Sequence, residues 1–182
     1  MRIPSYILRA RDQWQQARRP AGIERPGPGQ ESVWDYPRPP RVEPTSRHLA
    51  VDFCGRRIAD TRRGLRLLET SHPPTYYFPP EDVDRSVLTP STHESICEWK
   101  GQAEYYTIEV GDRLVRNAVW SYADPFPEFS LLAGYLAFMP TQMDACWVDG
   151  EQARAQDGGF YGGWITSDLA GPIKGGPGSA GW

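Results

Sequence analysis

At 182 residues the chain suits one domain with an appended arm, and it can bury a substantial core, so a second full domain is not expected. Its 20 basic and 23 acidic side chains leave a formal charge of −3, and the two signs are interleaved, which excludes a broad basic field for duplex nucleic acid. Eighteen glycines, eighteen prolines, seven Trp and nine Tyr point to many turns and an all-β, aromatic core with only one or two short helices.

The opening residues, MRIPSYILRARDQW, put arginines where a signal peptide needs an unbroken apolar run, and no later stretch has the length of a membrane span. A cytoplasmic protein with no membrane partner is the expectation. Within residues 4–19, Tyr6, Ile7, Ala10, Trp14 and Ala17 recur at helical spacing among Arg9, Arg11, Arg18 and Arg19. Residues 1–19 are therefore read as a helical arm, docked on its own domain or joining a sister subunit into a homo-oligomer. Residues 20–44 are proline-rich and polar and predict an extended linker or wrap, with Trp34 and Tyr36 resting on the body. Residues 45–182 are read as a single β-rich domain.

HLAVDFCGRRIADT alternates around Gly55 and predicts a hairpin, and GLRLLET a third strand. That strand leads into ETSHPPTYYFPPEDV, where four prolines hold a non-helical backbone around Glu69, His72, Tyr76 and Tyr77. Pro79 and Pro80 followed by Glu81, Asp82 and Asp84 predict a helix start. SICEWKGQAEYYTIEVGD reads as one strand with Cys97, Trp99, Ala103, Tyr105 and Thr107 on one face and a bulge or close approach at Gly101. NAVWSYADP puts Ala118, Trp120 and Tyr122 on one side, and FSLLAGYLAFMP fits either a short helix or a buried strand. MDACWVDGEQARAQ repeats the first hairpin's design, a sign of an internal pseudo-symmetric pair. The remainder, rich in glycine and aromatics, is too irregular for long elements and too apolar for a disordered tail.

A ligand pocket needs an aromatic wall and a few convergent polar groups. Trp99, Tyr105, Trp120 and Tyr122 supply the wall, with Phe160 and Trp164 placed at its mouth. Glu69 is the candidate general acid or base, His72 its assistant, and Lys100 the expected counter-charge to Glu69. Tyr76 and Tyr77 are neighbours on an extended segment and point to opposite faces, so only one enters a pocket. Cys97 with His93 reads as an ordinary buried thiol. The glycines around Lys174 read as a close-packed loop or an anion-holding backbone. Cys54, Cys97 and Cys146 are widely separated and show no zinc-ligand spacing, so no metal is expected, and the chain names no cofactor.

ETSHPPTYYFPPEDV, CEWKGQAEYY, the AVWSYADP run from Ala118 to Pro125, and GYLAF, met in that order, resemble the family known as domain of unknown function four-hundred-and-twenty-seven, which also carries a nucleotidyltransferase label. ESVWDYPRPP before them and FYGGWIT with GPIKGGPGSAGW after them resemble the family's long cyanobacterial and plant form. The resemblance implies a β-tent, two antiparallel sheets leaning over a cavity. The paired CxxC knuckles of some β-tent relatives are missing here, and so is the paired aspartate motif that the label would require. The readings left open are a pocket for a small polar organic molecule with Glu/His acid–base chemistry, a non-catalytic small-molecule or carbohydrate binding module, a nucleotidyltransferase, and a protein-interaction scaffold acting through the arm.

Overall fold

The computed structural model describes residues 3–182; Met1 and Arg2, the start of the expected arm, lie outside the described residues. The arm forms α1 (Ser5–Gln15), which ends before the expected Arg19 and buries Ile7. Strands β1 (Glu31–Ser32) and β2 (Arg41–Thr45) come from the proline-rich wrap. The expected hairpin is β3 (Leu49–Phe53) and β4 (Arg56–Thr61), and the expected third strand is β5 (Gly64–Leu68). After β6 (Thr75–Tyr77), a meander of three longer strands follows: β7 (Leu88–Cys97), β8 (Gly101–Val110) and β9 (Arg113–Ser121). The ambiguous FSLLAGYLAFMP divides into both readings, a 3-10 segment Pro127–Leu132 and then strand β10 (Leu136–Phe138). The second hairpin is β11 (Ala145–Val148) with β12 (Glu151–Gln152), and the glycine-rich tail holds the short β13 (Arg154–Ala155), β14 (Trp164–Ile165) and β15 (Leu169–Ala170). The protein is thus mostly β, with several antiparallel sheets and one long helix at its N-terminal end. No helix among the described residues is long and apolar enough to cross a membrane.

The three-stranded sheet β2-β5-β6 and the four-stranded sheet β10-β9-β8-β7 meet at an antiparallel bridge between Phe78 and Leu136, closed by N–H···O bonds of 2.8 and 2.9 Å. They form one bent surface with two faces. Along β6 the period of two sends Tyr76, and Phe78 beyond it, into a core shared with the sheet β12-β11-β3-β4, where Leu49, Val51, Phe138 and Trp164 are fully or almost fully buried. Tyr77 goes the other way, to a second cluster with Leu65, Leu67, Trp99, Trp120 and Tyr122. Pro44 and Pro90 fall on β2 and β7, the outer strands of their sheets, where a missing N–H leaves no gap in a ladder.

The two similar hairpins lie side by side. β3 pairs antiparallel with β11, Leu49 opposite Val148 and Val51 opposite Cys146, and each hairpin turns on a non-glycine and a glycine that both have positive φ: Cys54–Gly55 and Asp149–Gly150. The wrap is anchored at its far end, where β1 pairs in parallel with β15 and Trp34 donates to Pro172 O at 2.8 Å.

Three local expectations are corrected. The acids after Pro80 start no α-helix: Pro80–Asp82 and Arg85–Val87 are single 3-10 turns, and the chain runs straight into β7. Asp82 accepts from Thr61 and Arg63 and Asp84 caps Ser86 N–H, while Pro90 would stop any helix continuing from there. SICEWKGQAEYYTIEV is two strands with a turn at Glu98, Trp99 and Lys100, and Gly101 opens β8 at φ 101°, a conformation a side chain disfavours. The register shift between Tyr106 and Ile108 falls on β9, which carries extra residues around Asn117 at φ 57°, so Ala118 leaves the face of Trp120 and Tyr122 and joins the opposite core, while Tyr106 and Ile108 of β8 share that core in unbroken alternation.

Candidate functional site

On the Tyr77 face the bent sheet leaves a cavity of about 270 Å³. β5 and the proline turn after it contribute Leu67, Glu69, His72 and Pro73; β6 contributes Tyr77; the β7–β8 turn contributes Cys97, Trp99 and Lys100; β8 and β9 contribute Tyr105 and Trp120, with Tyr122 just beyond. Of the predicted site residues, the structure brings together Glu69, His72, Tyr77, Trp99, Lys100, Tyr105, Trp120 and Tyr122 around one space. It does not bring Tyr76 or Trp164. Their rings pack on each other at 5.3 Å on the far side of the sheet, because β6 alternates and because Trp164 N–H is tied to Pro74 O at 2.9 Å.

Apart from Phe160, which the sequence places at the mouth, the opposite side of the cavity is made by residues not singled out for it. Trp14 of α1 borders the space, and Arg11 clamps the arm down by donating to Glu98 O at 2.6 Å and Trp99 O at 3.2 Å. Tyr161 and the exposed Phe160 form the rim. Gly162 lets the chain pass directly over the Trp120 ring, where a Cβ would overlap the indole. Lys174, predicted only as part of a glycine loop, sits over the Trp14 ring at 3.8 Å and borders the same space. Nothing in the spacing of Trp14, Gln156, Tyr161 and Lys174 announces their meeting, since Trp14 arrives on α1, Gln156 and Tyr161 on the β13–β14 loop, and Lys174 on the segment after β15.

The expected Glu69–Lys100 pair is replaced. Glu69 Oε1 lies 3.3 Å from Arg38 Nε, an electrostatic contact without the alignment of a hydrogen bond. Arg38 was missed, and its signal was present in YPRPP, a cation fixed between prolines. Its guanidinium also donates to Thr70 O at 2.7 Å and Trp14 O at 3.3 Å, tying the wrap, the proline turn and the arm together.

His72 is held by Gln156, whose amide nitrogen lies 3.0 Å from His72 Nδ1 and donates to Lys174 O at 2.8 Å. That amide donates to Nδ1, so the imidazole carries its proton on Nε2. Burial, followed by the cations Lys174, Arg38 and Lys100, drives the His72 pKa down from 6.5 to about 3. The ring stays neutral at physiological pH and acts as a donor. Burial raises the phenol pKa of Tyr77 and of Tyr122, with Lys100 working against the rise, so both stay protonated. The Trp120 indole also holds back the Tyr77 rise, but its approach falls short of hydrogen-bond geometry. Tyr77 OH and Trp99 Nε1 are buried without any partner in the protein.

The His72 shift sets a pH dependence of stability. The unfolded chain takes a proton near pH 6.5, whereas the folded protein refuses it until about pH 3, so this contribution is complete above the upper value and lost as pH falls toward the lower. Relative to a His72→Gln variant, the wild type is expected to lose about 1.4 kcal/mol per pH unit between those limits. Urea denaturation of both proteins at about pH 7 and about pH 5 checks it, and parallel losses would refute the neutral, proton-refusing ring.

A search of curated proteins gives no match to the chain. A model of the family described as domain of unknown function (DUF427), and labelled NTP_transf_9, matches residues 41–149. The matched span holds β2 to β11 and the Trp99 to Tyr122 wall, while Trp14, Arg38, Gln156, Tyr161 and Lys174 lie outside it. With more than half its length matched, the chain belongs to that DUF427 family.

Proposed function

We propose that the cavity binds a small polar organic molecule, with Trp99, Tyr105, Trp120 and Tyr122 as its walls and the arm and the Tyr161 segment as its cover. The observation that carries this reading is a cavity of about 270 Å³ walled by aromatic side chains and bordered by the polar side chains of Glu69, His72 and Lys100. Neutral His72 supplies a donor through Nε2–H and Lys100 supplies its ammonium. Such a site selects molecules rich in acceptors, with a ring or flat edge for the indoles.

Binding without chemistry is the form the geometry favours. Glu69 is engaged by Arg38, and His72 is neither basic nor free at Nδ1. The nucleotidyltransferase reading draws no comparable support, since among the described residues no three His, Cys, Asp or Glu side chains converge.

A thermal-shift screen of small polar compounds against wild type, Trp120→Ala and Glu69→Gln tests the proposal. Compounds that raise the melting temperature of wild type and Glu69→Gln, and lose that effect in Trp120→Ala, are the expected result. Compounds acting equally on all three place binding elsewhere and overturn it.

A further inference from the structure

We infer that the ligand of this cavity carries one negative charge, as a carboxylate, and that Lys100 is its counter-ion; the inference rests on the cavity being a binding site. Lys100 is fixed from both sides. Its carbonyl accepts from Phe126 N–H at 3.0 Å, and the preceding carbonyl, Trp99 O, accepts from Arg11 at 3.2 Å. The turn is therefore held with Lys100 bordering the cavity. The side chain is buried on the cavity wall, its Nζ stands 5.6 Å from the centre of the Tyr122 ring, and among the described residues no carboxylate comes within ion-pair distance of it.

Burying an unpaired ammonium is costly, and proteins pair such a group or neutralise it. Lys100 is not neutralised. Burial opposes its charge, yet ionisable groups around it, Cys97 first and the acid Glu69 among them, hold its pKa up. Nor is it paired. Of the three cations that bear on His72, Arg38 has Glu69 at 3.3 Å and Lys174 donates to Trp182 O at 2.8 Å, which leaves Lys100 as the one without a partner.

A carboxylate supplies that single charge together with acceptor-only oxygens, and the polar groups that border the cavity beside it, the Lys100 ammonium and His72 Nε2–H, are donors. A phosphate dianion would bring a second negative charge with no cation left to meet it. An amine would add a fourth cation to the site.

The test is calorimetric titration of the full chain with monocyclic carboxylic acids, each matched with its primary amide, its amine and the corresponding phosphate monoester. Acids are expected to bind roughly 10–100-fold tighter than their amides, the range of one charge-assisted hydrogen bond. That preference should vanish in Lys100→Met, whose near-wild-type urea midpoint shows that the fold survives. Amides binding as well as acids, or phosphate monoesters binding more tightly than carboxylates, overturn the carboxylate inference and leave the pocket reading standing. If no compound binds in any form, the pocket reading falls and this one falls with it.

Discussion

Replacing Trp164 with alanine is expected to lower the unfolding free energy by about 3–5 kcal/mol, the usual cost of truncating a fully buried indole. The sequence placed Trp164 at the mouth of a pocket, yet no part of it is exposed, and it packs against Tyr76 at 5.3 Å and Phe78 at 6.0 Å in the core between the sheets. The hole left by alanine is lined by rings that are themselves pinned by strand hydrogen bonds and cannot collapse into it. Trp120→Ala should cost less, because that ring already borders open space, while abolishing ligand-induced stabilisation. Trp164→Phe is expected to regain most of the alanine loss, since the indole N–H it removes has no hydrogen-bond partner. Urea midpoints of the three variants decide the matter. A Trp120→Ala loss equal to that of Trp164→Ala would mean that the Trp120 side is core too, and that the cavity does not function as one.

That contrast shows which parts of the site were legible. Alternation along an extended segment needs only a period of two, and it separated Tyr76 from Tyr77 and grouped Trp120 with Tyr122 without any knowledge of the fold. It failed where the period broke: at Glu98–Lys100, which turns instead of continuing the strand, and at Ala118, where extra residues on β9 around Asn117 move it off the face of Trp120 and Tyr122. Trp164 failed for a different reason. It sits on a strand of two residues, too short to show a period, and its side is set by a bond to Pro74, ninety residues earlier in round terms. The acids after Pro80 were read by local capping rules, but their partners, Thr61 and Arg63, lie on the neighbouring hairpin and its following turn. The pseudo-symmetric hairpins were legible because the same turn chemistry occurs twice, and the structure sets them edge to edge as β3 and β11. The charges of the site were the least legible part. Lys100, beside Gly101, reads as the counter-charge to Glu69, whereas Arg38 reaches Glu69 from the wrap.

Arg38→Met is accordingly expected to be among the most damaging single substitutions, at about 3–5 kcal/mol, because it breaks one side of a buried pair and leaves the other. The Arg38 side chain is only 7 % exposed and that of Glu69 18 %, so solvent screens the stranded carboxylate only in part. The carbonyls of Thr70 and Trp14 lose their donor at the same time. Arg38→Lys should rescue little, since a single ammonium cannot reproduce a planar fork that reaches a carboxylate and two carbonyls from three loops. Arg38→Met combined with Glu69→Gln should recover part of the loss by removing the stranded carboxylate, and the coupling from that double-mutant cycle measures the pair itself. The arm reports the same event. With Arg38 gone, the guanidinium that lies 5.8 Å from the Trp14 ring and bonds its carbonyl no longer holds α1 over the cavity, so Trp14 should become more accessible to an aqueous quencher. A loss below about 1 kcal/mol for Arg38→Met, with quenching unchanged, would reduce the contact to an ordinary surface ion pair. Glu69 would then again be available as an acid or base, and Lys100 would have a carboxylate to claim.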